Sequence, residues 1–145
     1  MSAAVEIDPL RFARAGERLE GECAVAALER LSDLLASDRG GVRYRLSGGV
    51  ESGRPTLVVW VEAELDMVCQ RCLGACGLRV ESESRLPLAR DEDEMRRWER
   101  DDPMLDVVLA EPVMNVLVLV EDELLLGLPL APRHADGECG RCRTD

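Results

Sequence analysis

The chain has 145 residues, enough for a single domain (1–145) that buries about two-thirds of the surface exposed by its unfolded form. Its composition is 46% hydrophobic but only 3% aromatic, and its net charge of −11 disfavours nonspecific binding to nucleic acid. No apolar run approaches the roughly 20 residues of a membrane span, and the first ten residues lack the features of a signal peptide. We therefore expect a cytoplasmic protein with reduced thiols.

The first forty residues predict two helices separated by a strand. Asp8-Pro9 has the pattern of a helix N-cap followed by proline at the first helical position, and Gly16 ends the predicted helix over 10–15. A short strand is predicted over 18–23. From 24 to 36 the apolar residues recur at helical spacing, which predicts a second helix there.

Three segments then alternate apolar and polar residues with a period of two, at 42–47, 57–67 and 78–88. This alternation is typical of a half-buried antiparallel sheet with a charged outer face. The second and third segments flank residues 69–77, which are therefore predicted to form the turn of a long hairpin.

The last third of the chain begins with charged residues. Residues 90–104 are rich in charge and poor in apolar side chains, so we predict an acidic mobile connection, in which Trp98 either packs on the sheet or anchors a partner. A strand is predicted over 105–109, a helix over 112–128, and a tail over 129–145. The β-branched valines leave a strand as the alternative for the first half of 112–128. The predicted fold class is α+β: an antiparallel β-sheet with a long hairpin bearing a CxxC knuckle, packed by two main helices.

Two C-x-x-C pairs are the strongest functional signal in the sequence. Cys69 and Cys72 lie in the predicted hairpin turn, and Cys139 and Cys142 lie in the tail. Each spacing lets one tight turn direct two thiolates at one ion, and four such ligands suit a tetrahedral structural zinc. We therefore predict that Cys69, Cys72, Cys139 and Cys142 bind zinc and clamp the tail to the hairpin.

Other interpretations of the cysteines stay open. Cys76 and His134 are alternative ligands that would replace one of the four. A thiol redox protein using Cys69 and Cys72 is the main alternative, although neither pair opens a helix, the context that lowers a thiol pKa. Cys23 is predicted to be a small buried apolar residue.

Few residues suit catalysis or phosphate binding. His134 is the only histidine, and no glycine-rich loop carries the lysine of a P-loop, so no enzyme activity and no small-molecule substrate are predicted. Arg71 and Arg141, inside the two cysteine turns, either contact a partner or serve solubility. Arginines on the strands are expected to pair with Glu62, Glu64 and Glu81 across the sheet.

Several segments along the chain form a set. They are Ile7-Asp8-Pro9, Cys-Gln-Arg-Cys-Leu at 69–73, Glu-Asp-Glu at 121–123 leading into Leu128-Pro129, and His134 followed by a cysteine. In this order they resemble the YceD family, the large ribosomal RNA subunit accumulation proteins. Many relatives continue past the tail cysteine into a polar extension that this sequence lacks, and Cys142 is not universal among them.

The resemblance implies a small cytoplasmic bacterial protein needed for normal synthesis, processing or stability of 23S rRNA, without enzymatic activity. We predict a non-catalytic factor in large-subunit ribosome biogenesis that binds rRNA or an assembling ribosomal protein. The acidic surface favours the ribosomal protein, because ribosomal proteins are basic. A generic zinc-stabilised adaptor is a further alternative, and the sequence leaves the oligomeric state open.

Overall fold

Two strands of 15 residues dominate the computed structural model, which describes residues 5–69 and 72–128. The described residues form a mixed α+β fold with four α-helices and a mostly antiparallel sheet. In chain order the elements are β1 (Glu6–Ile7), α1 (Pro9–Ala15), β2 (Arg18–Ala24), a 3₁₀ turn (Val25–Ala27), α2 (Glu29–Ser32), β3 (Leu35–Ser37), β4 (Gly41–Glu51), β5 (Arg54–Val68), β6 (Ala75–Ala89), α3 (Glu92–Asp101), β7 (Val108–Leu109), β8 (Met114–Asn115) and α4 (Val116–Gly127).

The main sheet has the strand order β2-β4-β5-β6-β7. Its first four strands are antiparallel neighbours, whereas β7 runs parallel to the last two residues of β6. The short strand β3 pairs with the C-terminal end of β5. β1 and β8 form a separate two-stranded pair. The predictions of strands at 42–47, 57–67 and 78–88 are confirmed, and each observed strand is longer than predicted.

Helices α1 and α4 cover one face of the sheet and enclose the core. α1 packs on β4 and β5, and α4 packs on β5 and β6. At Gly48, a side chain would meet the main chain of α1, with the Ala13 Cα 2.8 Å from the position of a Cβ, so this glycine permits the close approach. Twelve large side chains are fully buried there: Leu28, Leu31, Leu46, Leu57, Leu65, Leu88, Leu124, Val25, Val42, Val59, Val61 and Val116.

The predicted helix over 24–36 is wrong. The structure divides this segment into a 3₁₀ turn, the four-residue α2 and the strand β3. Leu28 interrupts the helix with φ −107° and ψ 89°, and β3 then pairs with β5, where Leu35 lies opposite Met67. The apolar spacing reflected burial of Val25 and Leu31 in the core, and strand pairing overrode helix propensity for the rest.

The helix predicted over 112–128 begins later, at Val116. Asn115 caps it, because its side-chain oxygen accepts a hydrogen bond from the Leu117 N–H at 2.8 Å. Residues before the cap form β8, which pairs with β1 and brings Ile7 opposite Met114. The two helices that pack on the sheet are therefore α1 and α4. α4 lies within the predicted 112–128 segment, whereas α1 lies outside the predicted 24–36 segment.

The helix α3 lies within residues 90–104, which were predicted to be an acidic mobile connection without a helix. Asp91 caps its first turn by accepting from the Glu94 N–H at 2.8 Å, and Glu92 forms an ion pair with Arg96 one turn later. The Arg90 N–H and guanidinium both bond to Glu94 and hold the pKa of that carboxyl below its usual value. Local capping and side-chain pairs thus stabilise this helix, which has few apolar residues to bury.

Among the described helices, none has the length and hydropathy of a transmembrane segment.

Candidate functional site

The turn between β5 and β6 contains the first cysteine pair. The Leu73 N–H donates to the Cys69 carbonyl at 2.8 Å, and the Cys69 N–H donates to the Gly74 carbonyl at 2.8 Å, so the turn is closed by its own backbone. Leu73 has a left-handed conformation, φ 63°, with its side chain exposed. Cys69 is fully buried at the end of β5, whereas Cys72 is exposed in the turn.

The other predicted zinc ligands are not all placed. Cys76 is buried in β6, directly opposite Met67. Cys139, Cys142 and the alternative ligand His134 lie outside the described residues. Within 5–69 and 72–128, no three His, Cys, Asp or Glu residues are grouped so that they could hold a metal ion. The four-cysteine zinc site therefore stays a prediction.

Trp98, the predicted partner anchor, is half-buried on α3. The Arg54 guanidinium stacks over its indole ring at 5.2 Å, and Arg14 and Arg90 line the same groove. The ring thus contacts Arg54 at the start of β5, and its role as a partner anchor stays a prediction. Arg71 and Arg141, the other predicted partner contacts, lie outside the described residues.

Four arginines on β4 and β6 share the outer face of the sheet, and each is paired with a carboxylate. Arg43 and Arg79 both bond to Glu62 from the two neighbouring strands. Arg45 bonds to Glu20 at 3.1 Å and stacks over Trp60 at 4.8 Å, and Arg85 bonds to Glu51 at 2.6 Å. Of the three predicted partners, Glu62 is observed, and Glu20 and Glu51 take the places of the other two. Within the described residues, these four arginines are thus bonded to carboxylates of the sheet.

Glu121 is a buried carboxylate that joins two distant parts of the chain. One of its oxygens accepts from the Arg30 Nε at 3.0 Å, and the other accepts from the backbone N–H of Leu31 at 3.0 Å. Only 7% of the residue is exposed. Glu121 thereby bonds the backbone of α2, for which the preceding residue, Leu28, supplies no side-chain cap. Burial raises the pKa of the half-buried Cys23 thiol, and the nearby Glu121 carboxylate raises it further.

Glu123 is the second buried carboxylate, and it joins α4 to β6. Its Oε2 accepts from the hydroxyl of Ser84 at 2.8 Å and from the hydroxyl of Ser82, and only 3% of the residue is exposed. Sequence reasoning missed these roles and used Glu-Asp-Glu only as a helix signal and a family signature. The available signal was Ser82 and Ser84 on the inward positions of β6, because buried hydroxyls require a polar partner.

Substituting Glu121 with alanine is expected to lower the free energy of unfolding by about 2–3 kcal/mol, because the buried Leu31 N–H loses its acceptor. Urea unfolding followed by circular dichroism measures this change. Asp122→Ala is the matched control, since Asp122 binds the same arginine at 2.7 Å but both side chains are about half exposed. Its urea midpoint is expected to match that of the unmodified protein; equal losses for the two variants would contradict the role assigned to Glu121.

The described residues define a mixed α+β domain with a cysteine-bearing hairpin turn and two buried carboxylates with structural partners. A family model described as "Large ribosomal RNA subunit accumulation protein YceD" matches residues 57–145. The chain belongs to the YceD family. It is 28% identical over 144 residues to the large ribosomal RNA subunit accumulation protein YceD of Haemophilus influenzae, covering 92% of this chain and 76% of that protein. No solved structure is significantly similar to the chain.

Proposed function

We propose that this protein is a non-catalytic, cytoplasmic factor in large-subunit ribosome biogenesis that supports the synthesis, processing or stability of 23S rRNA. The observation that carries the proposal is the family match over residues 57–145, together with the similarity to the large ribosomal RNA subunit accumulation protein of Haemophilus influenzae. A non-catalytic role is supported by the buried carboxylates. Glu121 and Glu123, the buried acids among the described residues, are occupied in joining α4 to α2 and to β6.

The proposed direct partner is an assembling ribosomal protein in preference to rRNA. Two observations support this choice. The net charge of −11 attracts a basic protein and repels phosphate. In addition, four outer-face arginines, Arg43, Arg45, Arg79 and Arg85, are bonded to carboxylates of the same sheet and not available as a group to RNA.

The proposed zinc site would serve this function as a structural clamp. Its four ligands would be Cys69, Cys72, Cys139 and Cys142, with Cys76 and His134 as substitutes. Support comes from the closed backbone turn that contains the first pair, since a tight turn brings two thiols of a C-x-x-C to one side. Structural zinc stabilises small sites by on the order of 10 kcal/mol, which is sufficient to hold a 17-residue tail to the hairpin.

Deleting the gene is expected to lower the ratio of 23S to 16S rRNA and to reduce the peak of free and assembled large subunits in a sucrose gradient. A plasmid copy of the intact gene restores the ratio, and the Asp122→Ala variant, which is expected to fold, serves as the matched control for variants that do not complement. An unchanged rRNA ratio in the deletion strain would contradict the proposal and favour a zinc-stabilised adaptor outside the ribosome.

A further inference from the structure

The backbone of β6 alternates between two directions, and the hydrogen bonds at its two ends fix which residues face which way. At the turn, the Gly74 carbonyl accepts from Cys69 and so faces β5. At the other end, the Ala89 carbonyl accepts from the Ala110 N–H and so faces away from β5. The register of β5 and β6 is uninterrupted between these ends. Every odd-numbered residue of β6 therefore directs its N–H and C=O away from β5.

Five such residues form a long outer edge, which we name the β6 edge: Gly77, Arg79, Glu81, Glu83 and Arg85. All five are exposed, and within 5–69 and 72–128 no hydrogen bond reaches their outward backbone groups. Pro87 is consistent with this geometry, because the N–H it lacks would point outward and not into the ladder. β7 covers only Leu88 and Ala89.

Among the features that usually block strand addition, the β6 edge has one, the charged outer-face side chains at four of its five residues. From 77 to 85 it spans about 30 Å without a proline, a bulge or a charged side chain on its inward face. The inward side chains Leu78 and Leu86 are only half-buried, so an added strand would cover apolar surface as well as satisfy backbone groups. The opposite edge, β2, has only seven residues.

We propose that the β6 edge binds an extended, lysine- or arginine-bearing segment of the partner as an additional β-strand. This proposal rests on the proposed function, since it takes the partner to be a ribosomal protein. A second copy of the chain is disfavoured because it would bring together two proteins of net charge −11. Basic side chains of an added strand would lie beside Glu81 and Glu83 on the outer face, and apolar ones beside Leu78 and Leu86.

The experiment uses a proline substitution at each edge. Glu83→Pro removes an outward N–H from β6 and leaves the ladder with β5 intact. Glu20→Pro is the matched control on β2. The Gly48 N–H donates to the Glu17 carbonyl at 2.8 Å, so odd residues of β2 face β4 and Glu20 faces outward. Both variants remove one negative charge, and both are expected to keep the circular dichroism and urea midpoint of the unmodified protein.

The unmodified protein and the two proline variants are immobilised. Each is tested for binding to the ribosomal proteins stripped from purified large subunits and, separately, to naked 23S rRNA. A ribosomal protein that the unmodified protein retains is then identified and purified. Its dissociation constant is expected to rise at least about tenfold for Glu83→Pro and to stay unchanged for Glu20→Pro. In hydrogen exchange, the amides of residues 79, 81 and 83 are expected to slow at least about tenfold when that protein binds.

Equal binding by both proline variants, or protection at Glu20 and Glu22 in place of the β6 edge, would overturn the strand-addition proposal and leave the proposed function standing. Protection of the β6 edge in the isolated chain would also overturn it. Dependence of that protection on protein concentration would assign the edge to a second copy. Binding of 23S rRNA alone, falling steeply with salt, would overturn the ribosomal-protein partner itself.

Discussion

Replacing Cys69 with serine is expected to abolish zinc binding that is otherwise close to one ion per chain. Serine oxygen is a poor ligand for zinc beside thiolates, and the site then loses the four-ligand protein shell that is typical of structural zinc. Elemental analysis of protein purified without added metal measures the stoichiometry. Loss of the clamp is also expected to lower the thermal midpoint sharply, because zinc in such sites contributes on the order of 10 kcal/mol.

Cys23→Ser is the matched control for this experiment. Cys23 lies on β2, far along the sheet from the hairpin turn, and burial keeps the pKa of its thiol above the usual value. This variant is expected to retain zinc. A protein that contains no metal and whose Cys69 or Cys72 alkylates rapidly at neutral pH would contradict the zinc proposal and favour the thiol redox alternative. Loss of zinc from Cys76→Ser but not from Cys142→Ser would reassign the fourth ligand.

Gly48→Ala is expected to destabilise the protein by about 3 kcal/mol. An alanine Cβ there would overlap the Phe12 carbonyl oxygen and lie 2.8 Å from the Ala13 Cα, and both are main-chain atoms that a rotamer change cannot move. Relief would require α1 to shift away from β4, which would open the core around the buried Phe12. Urea unfolding, followed by circular dichroism, measures the loss.

The neighbouring glycine supplies the control for this substitution. A Cβ on Gly49 meets nothing within 4 Å, so Gly49→Ala is expected to change the free energy of unfolding by less than about 0.5 kcal/mol. The two variants have the same amino-acid composition, and the substituted residues are neighbours on β4. Similar effects in both would mean that strand propensity, and not the contact with α1, decides the cost at residue 48.

The sequence predicted the strands well because their period-two alternation is the burial pattern itself: Val59 and Val61 are buried, and Trp60 lies on the outer face. For residues 24–36, the burial pattern could not distinguish a continuous helix from the structure observed. Burial of Val25, Leu28 and Leu31 fits a helix and also fits a 3₁₀ turn followed by one helical turn. The choice depended on pairing of the next residues with β5, which no local pattern records.

The candidate site likewise contains features that a local sequence pattern predicts and features that depend on contacts between distant residues. The cysteine spacing is a local pattern and was visible, as was the turn between the two long strands. The role of Glu121 depends on Arg30, which is 91 residues away, and the role of Glu123 depends on Ser82 and Ser84. Such long-range bonds follow from how α4 is placed on the sheet. The period of β6 indicated that Ser82 and Ser84 need a polar partner, but no local pattern identified Glu123 as that partner.

The bonds between Glu121 and the segment around Arg30 have a consequence for how the chain is made. α2 gains its backbone acceptor, and β1 its partner strand β8, only after the region near residues 114–121 has been synthesised. A nascent chain that lacks this region leaves the apolar side of the β4–β5–β6 meander exposed to solvent, because α4 is absent. Folding of this high-contact-order topology is therefore completed after most of the polypeptide has left the ribosomal tunnel, and at a slow rate.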